Sequence, residues 1–158
     1  MNSLVVYESK FGNTQKVAEI ITKGLGSHGL ARLVTVADPY DLVLDPVDLL
    51  VIGGPTQAHG IGPAMGTYLK SLIARAPAGM RAASFDTRLK GPVFLWGSAA
   101  KAIADQLRKA GFVLVATPES FLVEGMKEPR LVDGEDQRAQ AWAVEIGAEV
   151  AGHLPATV

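Results

Sequence analysis

Leu4-Val5-Val6-Tyr7-Glu8-Ser9-Lys10-Phe11-Gly12-Asn13-Thr14 decides the fold. An apolar run passes through hydroxyl and amide residues around one glycine and enters the helical pattern Val17, Ile20, Ile21. The N–H groups of a helix's first turn have no partner within the helix, and the helix dipole adds partial positive charge there. Ser9, Asn13 and Thr14 supply further hydrogen-bonding groups around that end. Such a strand-to-helix loop reads as an anion cradle, and its predicted guest is a phosphate.

Outward from that loop, short β-branched runs alternate with helical periodicity along the chain, the pattern of crossover units that build a parallel sheet. Strands are predicted over residues 4–7, 31–36, 49–53, 82–85 and 112–116. None alternates strictly, as expected for strands covered on both faces. The first helix should start at Asn13 or Thr14 and stop near Gly26, with Gly29 available for the return. Ala37-Asp38-Pro39-Tyr40-Asp41 breaks the pattern, so the second crossover should be short or irregular. Pro63 suits a first helical position, and Met65, Tyr68, Leu69, Leu72 and Ile73 then share a face. Ser98 should cap the next helix and present Ile103 and Leu107 to the sheet. The last helix has Glu135 and Asp136 at its dipole-favoured start, with Trp142, Ile146 and Val150 inward. One segment resists the scheme: the apolar patch Ser120-Phe121-Leu122-Val123 within residues 117–131 should split or extend the fifth strand.

The 158 residues read as one domain, with 48% apolar and 20% charged residues fitting a folded core. A net charge of −1 provides no broad field for nucleic acid or an anionic membrane. No run approaches membrane-spanning length, and no secretory leader is evident, so a cytoplasmic location is expected. The absence of cysteine removes disulfides, thiolate catalysis and Cys-based metal centres. Any redox role must come from a bound cofactor.

In an open parallel sheet, ligands sit beyond the carboxyl ends of the strands, where the winding direction reverses. Three loops there are unusual. The first is the cradle. The second, Gly53-Gly54-Pro55-Thr56-Gln57-Ala58-His59-Gly60-Ile61-Gly62, has glycines that permit close backbone approach. The third, Phe85-Asp86-Thr87-Arg88, leads through Gly91-Pro92 to the apolar patch Val93-Phe94-Leu95-Trp96. Together they suit a flat ligand with a phosphate tail.

Ser9-Lys10-Phe11-Gly12-Asn13-Thr14 resembles the phosphate-binding fingerprint of the flavodoxin-like family, and Gly54-Pro55-Thr56 followed by His59-Gly60 resembles its second flavin loop. The strand and helix order carries the resemblance over essentially the whole chain. It implies a three-layer α/β sandwich around a five-stranded parallel sheet of order 2-1-3-4-5, holding FMN non-covalently. By position, Ser9, Phe11, Gly12, Asn13 and Thr14 would wrap the phosphate, with Lys10 inside the cradle. Thr56, after Pro55, would add a hydroxyl near phosphate and ribityl. Gln57, Ala58, His59 and Gly60 would line one ring face, Gly60 allowing a peptide flip near the ring nitrogen. Asp86, Thr87 and Arg88 would border the pyrimidine end.

The chain also departs from the family's carriers. His59 stands where an inner aromatic is often found, no tyrosine follows the fourth strand, and the net charge lacks the usual acidity. Arg88 would favour a reduced, anionic ring by Coulomb attraction and so favour two-electron chemistry. The implied function is redox electron transfer, as a carrier between proteins or as a small FMN-dependent reductase between a nicotinamide and a quinone-like acceptor. The alternative is a flavodoxin-like interaction or regulatory domain that uses no flavin.

Other chemistries lack their residues. His28, His59 and His153 fall in different elements without ligand-like neighbours, so no metal site is expected. Ser9 and Ser98 lack the triad pattern of a hydrolase. A phosphotransfer receiver needs acids after strand one and an aspartate ending strand three, where this chain has Ser9-Lys10 and Gly53-Gly54. Asp38, Asp41, Asp45 and Asp48 read as solvated turns.

Overall fold

Leu4, Val5 and Val6 are completely buried, and their strand β1 (Asn2–Tyr7) lies between β2 (Leu30–Thr35) and β3 (Leu49–Pro55), parallel to both. The computed structural model describes residues 1–38, 44 and 46–154. Beyond β3 come β4 (Arg81–Leu89), then β6 (Glu119–Glu124) and the short antiparallel β7 (Arg130–Leu131), while β5 (Val113–Leu114) pairs with the start of β4. The order β2-β1-β3-β4 agrees with the sequence expectation, and the outer part refines it.

The predicted fifth strand is two strands end to end. β5 pairs with Arg81 and Ala82, and β6 takes over opposite Phe85 to Leu89. Pro118 sits between them; with no N–H to give, proline interrupts a ladder. The patch Ser120 to Val123 therefore belongs to β6, and β7 closes the edge against Val123 and Glu124. The sheet is mixed, not wholly parallel. The fourth strand also runs further than read from sequence. Pairing on both sides, Gly54 to Asp86 and Thr87 to Phe121, carries it to Leu89 and makes Asp86, Thr87 and Arg88 strand residues.

Alternation along β1 divides the core. Val5 faces helices α1 (Asn13–Leu25) and α5 (Glu135–Gly152), whereas Leu4 and Val6 face α2 (Pro63–Arg75) and α4 (Ala99–Lys109). On α1 the buried Val17, Ala18, Ile21 and Leu25 follow the helical period. Each large side chain so buried contributes about 1.5–3 kcal/mol, and Ile21→Ala should cost about 2–5 kcal/mol by leaving a cavity. Phe85, Phe121 and Trp142 meet edge to face beneath α5, confirming Trp142 as core. Pro63 opens α2, and the Ser98 side chain caps α4 by accepting from Lys101 N at 3.1 Å. A one-turn helix, α3 (Val93–Trp96), was not expected.

The register aligns Tyr7, Gly53 and Phe85 across the sheet, so the chain leaves β1, β3 and β4 at one edge. That edge carries the site. Pro39, Tyr40, Asp41 and Asp45, on which the irregular crossover and part of the acidic edge were read, lie outside the described residues. Among the described residues no helix is long and apolar enough to cross a membrane.

Candidate functional site

Gly12 enters α1 with φ of 89°, and a Cβ placed there would meet nothing within 4 Å. The left-handed conformation suits glycine, and the open space leaves the backbone approachable. Ser9 Oγ accepts from Gly12 N at 3.1 Å and from Gln15 N at 3.3 Å, closing the loop over the helix end. The helix geometry leaves the N–H groups of Asn13 and Thr14 without an intrahelical acceptor. Their side chains are already engaged: Asn13 Nδ2 donates to Pro129 O at 2.7 Å, and the hydroxyls of Thr14 and Thr87 share a 2.6 Å hydrogen bond. Two of the expected phosphate ligands thus also tie the loop to the β6–β7 hairpin and to β4.

The second loop forms a closed two-residue turn. Gln57 N donates to Gly60 O and Gly60 N to Gln57 O, both at 2.8 Å. The positive φ values fall on Ala58 (44°) and His59 (71°), as in a type I′ turn that usually carries asparagine or glycine there. Gly60 itself is not left-handed in this turn. His59 is exposed and bridges to Gly97, which fixes the turn against the end of α3.

Asp86 is completely buried and turned away from the edge. Its Oδ2 accepts from Thr56 Oγ1 at 3.2 Å, Ser98 Oγ at 2.7 Å and Ala100 N at 2.9 Å, while Oδ1 has no partner among the described residues. A position within β4, on the α4 face, makes it an anchor for α4's N-terminus, where its charge is favourable. Arg88, two residues on, reaches the edge. Its Nη1 donates to Gly91 O at 2.8 Å and, more loosely, to Leu89 O at 3.4 Å, and Nε is buried without a partner among the described residues.

A cavity of about 430 Å³ opens at this edge, bringing together Lys10, Phe11, Asn13, Thr14, Pro55, Thr56, Gln57, Ala58, Thr87 and Arg88. That size lies in the ordinary range of small-molecule sites. Ser9, Gly12, Gly60 and Asp86 are outside its lining, and His59 lines a neighbouring cavity of about 300 Å³ with Leu95 and Trp96. Sequence reasoning missed Leu89, Val123, Gly125, Met126 and Pro129, which complete the larger wall. Gly125 and Pro129 were visible as a turn signal; the hairpin's fold back over the cradle was not. Phe11 and Met126, which line the larger cavity, are exposed at 63% and 79%, and Phe94 of α3 at 84%.

The family model for the flavodoxin domain matches residues 4–90, which span the cradle, the second loop and the end of β4. This chain belongs to the flavodoxin family. Among solved structures, a flavodoxin from the domain Archaea superposes with a TM-score of 0.74 at 22% identity, covering 95% of this chain and 99% of that one. Oxidised Flavodoxin 1 from Bacillus cereus gives 0.77 at 17% identity, covering 98% and 100%. The rubredoxin:oxygen oxidoreductase of Desulfovibrio gigas gives 0.78 at 18% identity over 96% of this chain, which spans only 36% of that enzyme. These likenesses show the shared flavodoxin fold. No curated protein matches the chain.

Proposed function

We propose that the chain is a single flavodoxin-like domain that binds FMN in the 430 Å³ cavity and serves in redox electron transfer. The observation that carries this reading is the meeting of cradle and loops: Lys10, Asn13 and Thr14 share one cavity with Thr56, Gln57, Thr87 and Arg88. Bound there, FMN would supply the one- and two-electron chemistry of its isoalloxazine ring.

The residues present fit that guest. Phosphate would be held by the first-turn N–H groups, aided by Lys10 and by whichever threonine of the Thr14–Thr87 pair turns its proton outward. Ser9 Oγ now occupies Gly12 N and Gln15 N, so its hydroxyl must rotate for the phosphate to take over those donors. Ala58 and Gln57 supply one flank of the cavity, Leu89 and Met126 another, and Phe11 shields the mouth. Arg88 has no acidic partner among the described residues, and it raises the local potential on a ring that gains negative charge when reduced.

A carrier and a small reductase both use this arrangement. The open, apolar mouth serves partner docking, while Arg88 serves two-electron transfer to a small acceptor. Titration with FMN and with riboflavin tests the reading: FMN should bind saturably and be displaced only weakly by riboflavin, which lacks the phosphate. A protein indifferent to saturating FMN would instead be a flavodoxin-like interaction domain.

A further inference from the structure

β5 runs beside the start of β4, and among the described residues no strand pairs with its outer side. Val113 N donates to Met80 O at 3.0 Å and Val115 N to Ala82 O at 2.9 Å, both on the β4 side. Alternation along the strand therefore turns the N–H and C=O of Leu114 outward, away from the sheet. Unpaired groups of that kind are a template for another extended segment, and no charged side chain on Val113, Leu114 or Val115 blunts the edge. Beside this edge, along α5, runs a groove made of two hollows of about 310 and 300 Å³ that share Val115 and Glu149. Trp142, Ile146 and Val150 give it an apolar floor. Trp142 is 8% exposed, and its indole N–H has no hydrogen-bond partner among the described residues; it is not one of the sealed polar atoms either, so it reaches the hollow that the ring lines. The rim is acidic. Glu145 and Glu149 stand exposed one turn apart on α5, Glu145 without a cationic partner among the described residues and Glu149 with His153 at 3.6 Å. Glu119, also in the lining, is already paired with Arg138, while Arg81 and His153 bring positive charge only to the second hollow.

We propose that this edge and groove bind an extended peptide segment of a partner protein that carries lysine or arginine at every second position. Its backbone would pair with Leu114 and lengthen the sheet, and one of its carbonyls would accept from the Trp142 indole N–H. Side chains two residues apart share a face of a strand, so the cationic ones would all turn to the groove. Their long apolar stems would cover Trp142 and Ile146 while their charged heads meet Glu145 and Glu149. A free polyamine has the charge but no acceptor for the indole or for Leu114 N–H, which is why a peptide fits better. No residue of the groove lines the cavity assigned to FMN, so the proposal stands apart from the flavin reading.

The probe is an acetylated, amidated peptide alternating lysine with threonine, titrated into isotope-labelled protein at low salt and followed by NMR. The chain has two tryptophans, so Trp96→Phe protein identifies the Trp142 indole signal. That signal should shift saturably, and the Leu114 amide should exchange with solvent more slowly in the complex. Glu145→Gln with Glu149→Gln, both at exposed positions outside the core, should weaken the peptide about fivefold, the size of two exposed ion pairs, and raised salt should act in the same direction. A peptide with glutamate in place of lysine should not bind. A shift that never saturates, a Leu114 amide that exchanges equally fast with peptide bound, a double variant that binds like wild type, or spermidine binding as tightly as the peptide would each overturn the proposal. So would a dimer in sedimentation whose Leu114 amide is protected without peptide, because the edge would then belong to a second copy of the chain.

Discussion

Replacing Asp86 with alanine tests whether the β4 terminus is an anchor or a ligand wall. Three donors converge on Oδ2, from Thr56, Ser98 and Ala100. Hydrogen bonds to a charged acceptor contribute about 1.5 kcal/mol each at the low end, or about 4.5 kcal/mol together. Truncation also removes Oδ1, which is buried without a partner among the described residues, and that returns about 1.5 kcal/mol. The balance is a loss of about 3 kcal/mol, a large share of the 5–15 kcal/mol by which domains are stable. Asp86→Asn separates charge from geometry. Its carbonyl oxygen can keep all three donors while the amide sits where Oδ1 found no partner, so the cost should be about 1 kcal/mol. Urea unfolding of the three proteins measures both differences, and in heat the alanine variant should melt about 6–12 °C lower. Thr56 lines both cavities and loses its anchor in Asp86→Ala, so ligand affinity should fall with stability. Equal stability of wild type and Asp86→Ala, or an asparagine variant as weak as the alanine one, would refute the anchoring argument.

Tyr68 is buried, its hydroxyl has no partner among the described residues, and burial, against a smaller opposing effect of Arg75, pushes its pKa up to about 12. The folded state holds the phenol neutral while the unfolded chain ionises near its ordinary 10, so stability should drop between about pH 10 and 12. Tyr68→Phe should abolish that drop in urea midpoints and cost nothing at pH 7, because it removes a hydroxyl with no partner among the described residues. Burial disfavours the Glu135 carboxylate, but hydrogen bonds from Arg138 and Leu122 N and the Arg138 charge outweigh it and hold its pKa below the ordinary value. Its contribution is therefore present above the unfolded carboxylate's pKa and lost as pH falls through the lower folded one. Arg138→Leu should flatten that acid limb and cost about 1–2 kcal/mol at pH 7, less than for a fully buried pair because water reaches the arginine. Ala58→Gly should stabilise the folded chain by up to about 1 kcal/mol by relieving a left-handed alanine, read as a rise in melting temperature. Asn13→Ala should weaken FMN binding and loosen residues 125–130 together, since its amide holds Pro129 O; hydrogen exchange of the hairpin reports the second effect and flavin titration the first.

Strands β1 and β3, the first half of β4 and the main helices were legible because burial on both faces leaves continuous apolar runs, and because caps and prolines mark helix starts. Leu49 to Ile52 and Val17 to Leu25 could hardly have been read otherwise. The sheet's outer part was less legible for a physical reason. Edge strands are short and half exposed: β5 is two residues long with Val113 at 52% exposure, and Pro118 divides what looked like one strand from its continuation. The end of β4 was misjudged because Asp86, Thr87 and Arg88 are polar. Composition marks such residues as loop, yet β3 and β6 extend beside them and supply ladder partners.

That misjudgement bears on the chemistry. Read as a loop, Asp86, Thr87 and Arg88 would all have faced the ligand; as a strand, alternation gives each a separate task. Asp86 turns to α4, Thr87 reaches across to Thr14 on α1, and Arg88, at the rim, is left for the cavities. The same logic explains why the direction of Trp96 could not be read from sequence. Its direction is set by α3, a single turn held by Pro92 O, by Arg88's grip on Gly91 and by the His59 bridge, contacts remote from any local sequence pattern. Arg88 is thus the residue on which both cavities depend, and the order of loss should show it. Arg88→Met should impair the Trp96 cavity first, because there the guanidinium is both a wall and the brace of the wall beside it, whereas phosphate anchoring by α1's first turn draws on N–H groups that Arg88 does not touch.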